Sequence, residues 1–164
     1  MYSWRVTKYN PLFRNRDGSY QNDEEWTCFS EVGLKVSMEE YVRTEQLYIN
    51  AISSFMEDIG LDHAYLLALE QWSDEVNKQN AKEFLSKIWV GKTISVQEIE
   101  ALARLTLRNA IWCKIGIKKD FYVHFGNDYY MYIGARKACE KAIDEVTHSG
   151  LYVERWESPY QSTS

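Results

Sequence analysis

Histidine, cysteine and proline are scarce in this sequence, at three, three and two of 164 residues. Cys28, Cys113 and Cys139 are odd in number and far apart, and no CxxC or Cys/His spacing joins them. That spacing supports neither a zinc site nor a disulfide framework, and reduced thiols are expected. Of His63, His124 and His148, His63 has no metal-ligand partner at i+4, His148 falls in the last turn of a predicted helix, and His124 is the one with a constellation of tyrosines around it. No apolar run approaches the roughly 18 residues a membrane span needs. The opening "MYSWRVTKYN" lacks the basic-then-apolar order of a signal peptide, so a cytoplasmic location is expected. Cations are in deficit as well. A net charge of −5 argues against a nucleic-acid partner and fits a basic protein partner. "VGKT" at 90–93 ends like a phosphate loop without its first glycine, and carboxylate pairs such as Glu39/Glu40 sit in solvated runs. No cofactor, metal or catalytic residue is therefore assigned, and the reading leans away from an enzyme.

Aromatic residues, by contrast, are abundant, at 15% with twelve Tyr and six Trp. Residues 2–9 alternate, with Tyr2, Trp4 and Val6 on one face and Ser3, Arg5, Thr7 and Tyr9 on the other. This predicts a half-buried strand. Residues 11–36 read as irregular, with a solvated acidic run at Asp23, Glu24 and Glu25 and "WTCF" at 26–29 as a short strand or buried clip. A capping box at Ser37/Glu40 opens a long helix ending at Gly60. A second helix is predicted over 62–72 and two turns near 81–89. A fourth helix begins at a second capping box, Ser95/Glu98. From Cys113 to Phe125 the apolar residues fall on odd positions, which predicts a strand. "YYMYIG" gives the next strand, 135–150 an amphipathic helix and 151–158 a closing strand.

The resulting order is the βαββαβ of a ferredoxin-like α+β sandwich. It implies a single domain over 1–160, a helical insertion over about 61–110 and a frayed tail at 161–164. A three-residue hairpin loop, Gly126 to Asp128, would pair Phe125 with Tyr129, Val123 with Met131 and Phe121 with Ile133. These six then face the core, and Tyr122, His124, Tyr130 and Tyr132 face the other way beside Arg5 and Tyr9. That second face is the candidate binding surface, unless the insertion or the 11–36 loop covers it. Arg108, Lys114, Lys118 and Lys119 form a basic run, expected either to steer an acidic ligand or to protect a strand edge.

At "WRVTKYNPLFRNRDGSY", "DEEWTCFSEVG" and "FYVHFGNDYYMYIG" the chain resembles a set of small bacterial proteins that share this opening and this hairpin and have no established activity. In size, acidity and single-domain architecture it also resembles immunity proteins that neutralise bacterial toxins. The second resemblance is architectural and transfers no residues; it implies a protein-binding inhibitor. The contacts expected from the aromatic face and the acidic run are Arg5, Tyr9, Tyr122, His124, Tyr130 and Tyr132, with Asp23, Glu24 and Glu25. The alternative expectation is a ligand- or nucleotide-binding domain, with or without enzymatic activity, that stacks its ligand on an open aromatic sheet face.

Overall fold

The structure is a computed structural model that describes residues 1–20 and 25–161. Asp23 and Glu24 lie outside the described residues, as do 162–164. The elements run β1 (Tyr2–Thr7), α1 (Met38–Asp58), β2 (His63–Gln71), α2 (Ser73–Lys78), α3 (Lys82–Ser86), β3 (Thr93–Ser95), α4 (Val96–Leu107), β4 (Ile111–Ile117), β5 (Phe121–Phe125), β6 (Met131–Ala135), α5 (Glu140–Ser149) and β7 (Tyr152–Arg155).

The strands form one antiparallel sheet in the order β3-β2-β4-β5-β6-β1-β7. The α+β class and the antiparallel sheet agree with the sequence. The expected four-stranded sandwich does not describe the molecule, because the sheet has seven strands. The largest departure is 62–72, expected as a helix and folded as β2. Ala, Leu and Glu favour helix locally, but this segment pairs with β3 on one side and β4 on the other. Two ladders of backbone hydrogen bonds outweigh a propensity difference of a few tenths of a kcal/mol per residue. The stretch 113–125 is likewise two strands. Its turn keeps parity, pairing Ile117 with Phe121, so the odd-position pattern runs unbroken through the hairpin.

The three longer helices lie on one face of the sheet, α1 against α4 and α5. Ser95 and Glu98 form the full capping box of α4. At Ser37 only half of the box forms: the Ser37 hydroxyl accepts from the Glu40 amide, while the Glu40 carboxylate pairs with Arg43. The core beneath the helices holds Trp4 and Val6 of β1, Phe121, Val123 and Phe125 of β5, and Met131 and Ile133 of β6. These meet Tyr48, Ile52 and Phe55 of α1. Each such side chain withdrawn from water contributes about 1.5–3 kcal/mol. Glu45 of α1 is also buried, and it ties α1 to α4. Arg108 reaches it through Nε at 2.7 Å and Nη2 at 3.0 Å, and Arg104 through Nε at 3.1 Å.

Candidate functional site: a closed aromatic face and an open acidic cleft

The β5–β6 hairpin pairs Phe125 with Met131, Val123 with Ile133 and Phe121 with Ala135. The register is two residues away from the expected one, because the loop spans five residues, Gly126 to Tyr130. A two-residue shift leaves every side chain on its expected face. The longer loop is made possible by Asp128 and Tyr129, both left-handed at φ 58° and 65°. This turn drops Tyr129 into the core among Trp26, Tyr41 and Tyr48, and its hydroxyl donates to the Leu107 carbonyl at 2.9 Å. Trp26 is thus a buried clip rather than a strand residue.

On the second face β1 and β6 place Arg5 opposite Tyr132, and β5 places His124 opposite Tyr132. Tyr122 lies over Gly134, where a Cβ would come within 2.1 Å of its ring, and it stacks on His124 at 4.3 Å. The expected residues are brought together, but they are not open. Arg5, Tyr9, Tyr122, His124 and Tyr132 are all buried, and Tyr130 is half-buried. The open sheet face expected for a stacked ligand is therefore not present.

Two segments cover this face. From the N-terminal loop, Gly18 accepts a hydrogen bond from Arg5, and the Tyr20 amide donates to the Tyr130 hydroxyl. From the C-terminal end, Trp156 stacks on the Arg5 guanidinium at 3.8 Å, and Tyr160 packs on Tyr132 and Trp112. Gln161, expected in a frayed tail, donates to the Tyr122 hydroxyl at 2.9 Å. Burial and the neighbouring Lys114 ammonium push the His124 imidazole down to about 4. Tyr9 is used internally too, donating to the Asp128 carbonyl at 2.6 Å.

The remaining candidates are dispersed. Glu25 pairs with Lys8 at 2.7 Å, and burial lowers the Lys8 pKa in spite of that partner. Arg108 is committed to Glu45, and the Lys114 ammonium donates to the Tyr160 carbonyl at 2.6 Å. Lys118 and Lys119 sit in the β4–β5 turn, between two interior strands, so they guard no sheet edge. Among the described residues no group of three His, Cys, Asp or Glu is placed to hold a metal, and none of the described helices is long and apolar enough to cross a membrane.

The open concavity lies instead at one end of the sheet. It is a cleft of about 1050 Å³ where the end of β2, the start of α2, the end of α4, the start of β4 and the β5–β6 loop converge. Trp72 joins these parts, its amide donating to the Ala110 carbonyl at 3.1 Å. Glu70, Asp74, Glu75 and Asp128 line the cleft, as do Trp72, Trp112, Tyr130 and Tyr160. No Lys or Arg lines it among the described residues. Glu75 has a partner in Lys78 at 3.0 Å, whereas Glu70, Asp74 and Asp128 are exposed. Of these residues only Tyr130 stood out in the sequence. The assignment of 62–72 to a helix hid the juxtaposition of Glu70 and Trp72 with the hairpin loop. The usable signal was a tryptophan set between acidic residues, "EQWSDE".

Fold and cleft together define an α+β protein with a seven-stranded antiparallel sheet and an acidic, aromatic-lined cleft at one sheet end. No protein-family profile, curated protein or solved structure matches the chain.

Proposed function

We propose that this protein is a binding module for a basic protein partner, of the immunity or inhibitor type, and that the acidic cleft is where it engages that partner. The observation that carries the reading is the cleft lining: four carboxylates and six aromatic residues with no Lys or Arg among the described residues. A lysine or arginine side chain entering this cleft meets both attractive charge and ring faces. A cation about 5 Å from a carboxylate gains about 0.8 kcal/mol in water. Three such neighbours supply about 2 kcal/mol before screening by salt. The same charge repels phosphate groups, and the aromatic face is covered, which disfavours a nucleotide ligand. In this reading β1, α1, β5, β6, α5 and β7 are a ferredoxin-like core, supported by the order β5-β6-β1-β7, and the 61–117 region, which adds β4, β2 and β3, enlarges the sheet to create the cleft.

The test is a titration with an arginine-rich peptide, followed by tryptophan fluorescence at low and physiological salt. Binding should weaken by roughly 10- to 30-fold in the E70Q/D74N/D128N variant, in line with about 2 kcal/mol. A peptide affinity equal in the variant and the wild type would refute the assignment.

A further inference from the structure

The segment after β7 is fastened to the aromatic face by polar bonds that meet at one histidine. Ser158 is buried, and its Oγ lies 2.7 Å from His124 Nδ1 while accepting the Tyr160 amide at 3.1 Å. With that amide on one lone pair, the hydroxyl keeps its proton and a second lone pair, and can either donate to Nδ1 or accept from it. The contacts thus run from the Tyr160 amide to Ser158 and on to the His124 imidazole. Lys114 and Gln161 add bonds on either side, to the Tyr160 carbonyl and from the Gln161 amide to Tyr122. We propose that residues 156–161 form a releasable strap, held shut by neutral His124 and loosened when that histidine is protonated, which opens the cleft onto the aromatic face.

The geometry gives the direction. Protonation puts a full charge into a site that the strap keeps from water, and that desolvation cost is relieved when the strap lifts. The new cation stands opposite Lys114, its Cα partner on β4. The other groups around it are Tyr122, stacked on it, Tyr132 opposite on β6, and Tyr160 packed edge-on from the strap. Glu157 of the strap acts on Tyr122. No carboxylate among the described residues pairs with His124, so nothing there compensates the charge. Tyr160 forms part of the cleft wall, so its departure joins cleft and face into one surface. The inference stands apart from whatever the cleft binds, since it is read without a partner.

The sign follows from the two pKa values. Closed, His124 titrates at about 4; released, it returns to about 6.5. The strap is therefore fully favoured above about pH 6.5 and loses favour as pH falls toward 4. Between pH 7 and pH 5 the closing equilibrium should fall by up to about 20-fold.

The test is amide exchange in the full chain by NMR, corrected for intrinsic rates. Tyr160 should lose up to about 20-fold of protection between pH 7 and pH 5, with Val123 and Ile133 unchanged and Tyr160 protection flat in H124N. Constant protection in the wild type, an equal fall in H124N, or loss in step with Val123 and Ile133 would overturn the proposal. Should H124N fail to fold, Y160A carries the test. The His124 pKa must rise toward 6.5 in Y160A, and an unchanged value refutes the strap.

Discussion

Removing the Glu45 carboxylate should be among the most damaging single changes in the molecule. The Glu45 side chain is 2% exposed, and two guanidinium groups converge on it, with Arg108 19% and Arg104 39% exposed. Taking away one partner of a buried pair costs about 3–5 kcal/mol, because the other charge is left without compensation. Both arginines retain some access to water, which lowers the expected cost of E45A to about 3 kcal/mol. R108A should cost about 2 kcal/mol, since Arg104 still faces the carboxylate, and R104A at most about 1 kcal/mol. Urea unfolding measures this directly. With a slope near 2 kcal/mol per molar, E45A should lower the midpoint by about 1.5 M. The E45A/R108A double variant should be less destabilised than the sum of the two singles, because the second change removes a charge already orphaned. If E45A and R108A each cost under about 0.5 kcal/mol and simply add, the triad does not hold α1 to α4. The question bears on function because Thr106, Leu107 and Asn109, at the anchored end of α4, form one wall of the cleft.

Three further outcomes follow from the geometry. G134A places a methyl group into the Tyr122 ring, so stability should fall by about 1–3 kcal/mol and the upfield ring-current shifts around His124 should change; an unperturbed variant would contradict the close approach. Only Cys28 should react quickly with a thiol reagent at pH 8, because burial raises Cys113 to about 12 and Cys139 to about 11; two fast thiols would contradict this packing. W26A removes the ring clamped between Tyr41 and Tyr129 and should cost about 3–5 kcal/mol by thermal or urea unfolding, whereas a cost under 1 kcal/mol would show that the clip is not part of the core.

The sheet was legible wherever period two was clean. Phe121, Val123, Phe125, Met131 and Ile133 were sorted correctly from Tyr122, His124 and Tyr132, because a register error of two residues does not change a face. The strand β2 was hidden because its alternation is interrupted by a bulge between Leu66 and Ala68 and its residues favour helix. The strap was hidden for a different reason. "WESPYQ" has no apolar pattern, and it docks through two rings, Trp156 and Tyr160, and a few polar bonds. The cleft could not be read locally at all, since it draws Glu70, Asp74 and Asp128 from segments more than fifty residues apart that only the strand order brings together.

The central claim, that the acidic cleft takes a basic partner, is tested most directly by the tryptophan indole resonances during titration with an arginine-rich peptide. The account predicts that Trp72 and Trp112 move together and saturably, while Trp89, exposed but outside the cleft, and the buried Trp4 stay in place. Shifts at Trp89 equal to those at Trp72, or no shift at Trp72 and Trp112, would contradict it.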